Sequence, residues 1–177
     1  EGADSMIEGQ DASVRLVGRG AWAFDALAYI QARNFTNIVV SSSRFVPVLD
    51  QRNTPATGLG GKFELRPPVG DAHVLRLGVD YRNAQGELFE TAISAFSGNV
   101  TARRQAGGTN TDLGFFIEDD WTLGAMVLTA GARLDRWTIR DGFYRERDAA
   151  GALQIDAGYP DRSGWDASFR GGLLYRA

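Results

Sequence analysis

Residues Leu113–Asp135, LGFFIEDDWTLGAMVLTAGARLD, hold two alternating runs joined by the tightest turn in the chain. In the first run Leu113, Phe115 and Ile117 share one side, and Gly114, Phe116, Glu118 and Asp120 share the other. In the second, Met126, Leu128, Ala130, Ala132 and Leu134 oppose Val127, Thr129, Gly131, Arg133 and Asp135. A period of two is the signature of β-strands. At roughly 3.3 Å per residue each run spans about 30 Å, the length of a tilted strand that crosses a membrane.

The same alternation recurs outward from this hairpin. It appears in Ser13–Trp22, Ala26–Val40, Gly58–Arg66, His73–Arg82 and Asp166–Arg176, and Met126–Leu134 prolongs through Arg140, for about seven strands in all. The stretch DALAYIQARNF also fits a helix, but it runs into Thr36, Asn37, Ile38, Val39 and Val40, whose β-branched residues favour strand. Short links are expected at Ala23–Asp25, Pro67–Ala72 and Thr122–Gly124. Long polar loops are expected at Ser41–Thr57, Asn83–Asn110 and Asp141–Ser163, the last containing a small hairpin near Asp148–Gly151. All short turns then lie at one rim and all long connections at the other, the asymmetry of outer-membrane barrels. Trp22, Phe24 and Trp121 near one rim and Phe35, Tyr81 and Trp137 near the other are expected to form aromatic girdles.

Composition excludes several classes. The 177 residues are 44% hydrophobic and 23% charged, with a net charge of −3, so there is no basic footprint and nucleic acid is not an expected partner. The absence of cysteine removes disulfides, thiol catalysis and cysteine-based metal sites. Mean hydropathy is −0.23 and no apolar run is long enough for a membrane helix, which leaves a barrel open, because its strands are apolar on one face only.

One side of the alternating strands carries Arg15, Arg19, Lys62, Glu64, Arg66, Arg76, Asp80, Arg82, Glu118, Asp120, Arg133, Asp135, Arg170 and Arg176. Ions in a dry core cost several kcal/mol each, so this side must meet water or a charged partner. The opposite side, if also wet, would expose a broad apolar surface. Lipid outside and a wet or plugged lumen inside satisfies both. Leu128 is expected near the middle of the lipid-facing span.

The segment LGFFIEDDWTLGAMVLTAGARLDRW resembles the paired barrel strands of TonB-dependent outer-membrane receptors. There an aromatic-rich strand ending in an acidic-Trp group (here Glu118, Asp119, Asp120, Trp121) turns into a strand ending in Gly-x-Arg-x-Asp (here Gly131, Arg133, Asp135). IEGQDASVRLVGRGAW and ASFRGGLLYRA are similar to other strands of such barrels. The resemblance implies an all-β, antiparallel up-and-down meander in the bacterial outer membrane. It also implies energised uptake of a scarce nutrient such as a ferric siderophore, corrinoid or oligosaccharide. The partners it implies are membrane lipid, a plug domain, TonB acting through that plug, and an extracellular small-molecule ligand. About seven strands do not make a barrel of roughly 22. Residues 1–177 are therefore expected to be a middle portion of the wall, with the plug, a TonB-interacting segment and the remaining strands lying elsewhere. A soluble β-sandwich or small-barrel binding module is the competing expectation.

For individual residues, Arg76, Glu118, Asp120, Arg133, Asp135 and Arg170 are expected to face the lumen or plug. Arg103 and Arg104, beside Gly107 and Gly108, are expected in a ligand-capture loop. No catalytic, metal or cofactor site is expected. His73 reads as a rim residue, Glu118 and Asp120 share a side that Asp119 does not, and Ser41–Ser43 lack the setting of a nucleophile. No enzymatic constellation emerges.

Overall fold

A computed structural model describes residues 4–176; the expected domain limits, 1 and 177, fall outside them. The strands are β1 (Ser5–Gly18), β2 (Ala23–Val40), β3 (Pro47–Arg66), β4 (His73–Ile93), β5 (Val100–Leu123), β6 (Met126–Asp148), β7 (Leu153–Gly158) and β8 (Arg162–Tyr175). They form one antiparallel sheet in the order β1-β2-β3-β4-β5-β6-β7, with β8 also paired to β6. β7 lies along the far half of β6, from Phe143 to Arg147, and β8 along the near half, from Met126 to Ile139. The eight strands therefore fill seven places in an unclosed meander. No second sheet packs against it, and among the described residues only Gly60, Glu64, Ala102 and Gly114 are buried, so the sandwich alternative has no core here.

The central hairpin forms as its alternation predicts. Leu123 pairs with Met126 across Gly124 and Ala125, and Gly124 stands at φ 59°, which suits glycine at the first position of a two-residue hairpin turn. DALAYIQARNF is strand throughout. The short connections fall at 19–22, 67–72 and 124–125, all at one end of the sheet. Backbone bonds from Thr122 N–H to the Ala72 carbonyl (2.7 Å) and from Arg176 N–H to the Ala125 carbonyl (2.8 Å) tie this rim together.

The opposite end differs from expectation. Most of Ser41–Thr57, Asn83–Asn110 and Asp141–Ser163 is strand rather than loop, and the true tips are only residues 41–46, 94–99 and 149–152. β5 reaches 24 residues, about 80 Å, well beyond the ~30 Å of a bilayer core. Pro47 hides its missing N–H at the first position of β3, and Pro55 sits next to the register shifts at Phe35/Asn37 and Asp50/Asn53. A proline count therefore overstated the loops. The tips at 41–46 and 94–99 share one geometry. In each, an N–H four residues along donates to the serine carbonyl at the start: Phe45 to Ser41 and Gly98 to Ser94, both 2.9 Å. Phe45 at φ 55° occupies the left-handed position that Gly98, at φ 72°, holds in the neighbouring tip.

Cross-strand register sorts the side chains cleanly. One face carries the row Leu16, Ala26, Phe63, Val79, Phe115, Leu134 and Ala167, and the row below it Phe24, Leu65, Leu77, Ile117, Ala132 and Phe169. On β5 this apolar band runs from Leu113 to Trp121, about 27 Å along the strand and about 20 Å along the normal at a tilt near 40°. Above it the same face turns polar, where Asn83 Nδ2 donates to Thr111 Oγ1 (2.8 Å). At the lower rim His73 stacks on Trp121, with centroids 5.5 Å apart, and its Nδ1 donates to Asp119 Oδ2 (2.6 Å). Leu128 pairs with Trp121 and Leu173, at the lower end of the band and not at its middle. The upper girdle is also corrected. Tyr81 is on the apolar face, but Trp137 pairs with Asp112 and Gly164 on the charged face, and Phe35 shares the phase of Asp25. The upper aromatic on the apolar side at the far edge is Trp165, beneath the Arg136 guanidinium at 5.2 Å.

Candidate functional site

The other face is charged, and the strand phase puts Arg76, Glu118, Asp120, Arg133, Asp135 and Arg170 on it together. Arg76 Nη1 donates to Glu118 Oε1 (2.9 Å) and to Asp120 Oδ2 (2.7 Å). Arg170 forms an ion pair with the same Glu118, and Thr129 Oγ1 donates to Asp120 Oδ1 (2.6 Å). One strand-row up, Arg133 grips Asp80 with two bonds (2.7 and 2.9 Å) while also donating to Asp135 (2.6 to 2.9 Å). Glycine makes room for this fork. A Cβ on Gly114 would lie within 2.1 Å of the Arg133 guanidinium, and one on Gly78 within 2.1 Å of the Phe116 ring. Asp119 points to the opposite face, as a two-residue repeat requires.

Towards β3 the network continues. Glu64, only 6% exposed, accepts from Lys62 (2.8 Å) and from Arg66 (2.6 and 2.8 Å), and Arg15 pairs with Asp25. These side chains line a groove of about 510 Å³ bounded by Lys62, Glu64, Arg76, Asp80, Arg133 and Arg170. A second groove of about 500 Å³ follows it towards Arg82, Asp112 and Asp166. Carboxylates and guanidinia satisfy one another here, so the face is a fixed polar lattice with grooves on it. Among the described residues no cluster of three or more His, Cys, Asp or Glu is placed to hold a metal.

Arg103 and Arg104 are not in a loop; both stand on β5. Adjacent residues of a strand point oppositely, and the two part company. Arg104 shares the charged face and lies between Glu90 (Nη1 to Oε1, 2.8 Å) and Glu146 (Nε to Oε2, 2.8 Å), while Arg103 faces the apolar side and donates to the Ala149 carbonyl (3.1 Å). The two carboxylates, Glu146 foremost, push the Arg104 pKa above the ordinary arginine range. Arg104, helped by the Tyr144 hydroxyl (2.7 Å), holds the Glu146 carboxyl below its ordinary range.

This cluster is the end of a longer chain of bonds that sequence reasoning missed. Ser5 Oγ donates to Asn37 Oδ1 (2.6 Å), Asn37 Nδ2 to Gln51 Oε1 (3.3 Å), and Gln51 Nε2 to Glu90 Oε2 (2.9 Å), where Arg104 takes over and leads to Glu146 and Tyr144. Six adjacent strands, β1 to β6, are laced by side chains at the long-hairpin end. The signal in sequence was the phase of Leu88/Glu90 and Tyr144/Glu146, hidden because those segments read as irregular.

A family model described as TonB dependent receptor-like, beta-barrel matches residues 8–177. No curated relative matches the sequence. Among solved structures, the chain is similar to the ferric yersiniabactin uptake receptor FyuA from Yersinia pestis, with a TM-score of 0.64 at 15% identity. That match covers 97% of this chain and 25% of the receptor, so the chain spans a quarter of that receptor's length, and at this identity the likeness concerns the fold alone. A meander of long antiparallel strands, short turns at one rim, one apolar face, one ion-paired face and a family match over nearly the whole length lead to one conclusion: the chain belongs to the β-barrel family of TonB-dependent receptors.

Proposed function

We propose that these residues are a wall segment of a bacterial outer-membrane receptor for energised uptake of a scarce nutrient such as a ferric siderophore, corrinoid or oligosaccharide. The apolar face meets lipid, the charged face looks into the lumen towards a plug domain through which TonB acts, and the long hairpins project outside the cell. The unpaired edges of β1 and of β7 with β8 are joints to further strands. Arg76, Glu118, Asp120, Arg133, Asp135 and Arg170 then meet lumen water or the plug, and Arg104, within the Glu90–Glu146 clamp, faces incoming ligand. The segment works as a transporter wall and performs no chemistry of its own.

The observation that carries this reading is the division of a single-layered sheet into an apolar band bordered by His73, Trp121, Tyr81 and Trp165 and an opposite face of mutually paired ions. Spin labels at Phe115 and Leu128 in the intact receptor should be quenched by lipid-soluble reagents, and labels at Glu118 and Thr129 by water-soluble ones. Loss of that alternation, or its reversal, would refute the membrane assignment.

A further inference from the structure

The charged face carries rings as well as ions. One row across the sheet reads Tyr29, Gly60, Arg82, Asp112, Trp137 and Gly164, each paired with the next. At both ends of the row an aromatic stands directly opposite a glycine. A Cβ on Gly60 would lie 2.6 Å from the Tyr29 hydroxyl oxygen, and one on Gly164 would lie 2.6 Å from the Trp137 indole, so each ring lies across the facing strand in space that only glycine leaves. The backbone then covers one face of each ring. Both residues are half-buried and turn the other face to the same groove of about 500 Å³. Phe24 lies across Gly18 in the same way on the apolar face and needs no further partner, whereas an open ring on the charged face meets water unless a ligand covers it. Tyr29 leans over β3 and Trp137 over β8, four strand spacings apart, or about 19 Å.

Between the rings the groove is polar and slightly acidic. Its cations are already engaged: Arg82 with Asp112 at 3.1 Å, Arg133 with Asp80 and Asp135, and Lys62 with Glu64 at 2.8 Å. Asp166 is exposed, has no cation partner among the described residues and stands directly opposite Asp135. Like charges facing each other across neighbouring strands are destabilising by themselves. An anionic chelate therefore finds no free cation here. A neutral polyol fits better, because its hydroxyls both donate and accept, and so bond to carboxylates and guanidinia without disturbing their charge balance. The negative faces of the two rings suit the C–H side of a sugar ring.

We propose that this groove binds a neutral oligosaccharide, with one sugar stacked on Tyr29, another on Trp137, and the hydroxyls between them bonded to Arg82, Asp112 and Asp166. The distance between the rings sets the size: a single sugar covers one of them, and a chain of several covers both. The proposal rests on the charged face being the lumen of an uptake receptor, and it selects oligosaccharide among the nutrients named for that receptor.

The test uses the complete receptor in a detergent without a sugar headgroup, against an array of neutral oligosaccharides from disaccharide to hexasaccharide. Glucose, spermidine and an anionic ferric catecholate are the comparison probes. Affinity should rise steeply with chain length and be weakest for glucose. Tyr29→Ala and Trp137→Ala should each weaken the tightest oligosaccharide roughly tenfold, and Trp137→Phe, which keeps a flat ring over Gly164, should retain most of the affinity. Asp166→Ala, at an exposed position away from both rings, should also cost roughly tenfold and serves where a ring variant fails to fold. No binding anywhere on the array, equal affinity for glucose and the longer chains, or full affinity in the Tyr29→Ala/Trp137→Ala double variant overturns the proposal. So does displacement of the sugar by spermidine or by the ferric catecholate at the sugar's own concentration. Spin-label quenching separates this inference from the reading beneath it. A water-quenched Glu118 with no sugar bound sinks the inference alone, whereas a lipid-quenched Glu118 sinks the lumen assignment and the proposal with it.

Discussion

Replacing Ile117 by Arg is the sharpest probe of where the membrane lies on this sheet. Ile117 is 49% exposed on the apolar face, midway between Leu113 and Trp121, and pairs with Leu77 and Ala132. Either border of the band is about 13 Å away along the strand, or about 10 Å along the normal. That gap is more than an arginine side chain can climb by snorkelling, so the charge stays in hydrocarbon and the cost should be about 2 to 4 kcal/mol. Leu128→Arg is the internal comparison. Leu128 is level with Trp121 at the lower border, where the headgroups are within reach, and the same substitution should cost about 0 to 1 kcal/mol. Urea titration of the complete receptor refolded into phospholipid vesicles measures both, with resistance of the folded form to unheated SDS as a second reading. Equal costs at the two positions, or a larger cost at Leu128, would refute the placement of the band.

On the charged face, Arg133→Met should leave Asp80 and Asp135 facing each other without a cation and cost about 1 to 2 kcal/mol, a partly exposed version of breaking a buried pair; a double-mutant cycle with Asp80→Asn measures the coupling. Phe45→Gly should leave the receptor no less stable, and raise stability by up to about 1 kcal/mol, because Phe45 is 82% exposed at φ 55°; a loss in urea titration would show that its ring makes a contact worth more than the strain. Glu146 has its carboxyl held low by Arg104, so the clamp contributes fully above the ordinary glutamate range and is lost as pH falls through the lowered folded value. Amide protection in the β4–β6 hairpins, taken relative to the intrinsic exchange rate at each pH, should accordingly fall on acidification, and Glu146→Gln should abolish that acid dependence; an unaltered protection profile would contradict it.

Local sequence was enough for strand identity and phase. The alternation of Leu113, Phe115 and Ile117 with Glu118 and Asp120 already separates the faces, because successive strand side chains point oppositely whatever the chain packs against. It also placed Arg76, Arg133 and Arg170 on one side. It failed where phase alone is ambiguous. A polar stretch such as Arg103–Gln105 has no apolar side to reveal its period, so it reads as loop, and its place is set by cross-strand ladders and ion pairs to residues distant in sequence.

Register was the other hidden quantity. Whether Leu128 is central or marginal depends on its pairing with Trp121, and whether Trp137 or Trp165 faces outward depends on how β6 meets β8. The sequence by itself determined that one sheet would have an oily and a charged face, since a two-residue repeat needs no partner to be expressed. Only the tertiary structure decided which cations find carboxylates and which, like Arg103 and Arg147, face each other across neighbouring strands. That choice is made by hydrogen-bond register between distant segments, which no local pattern encodes.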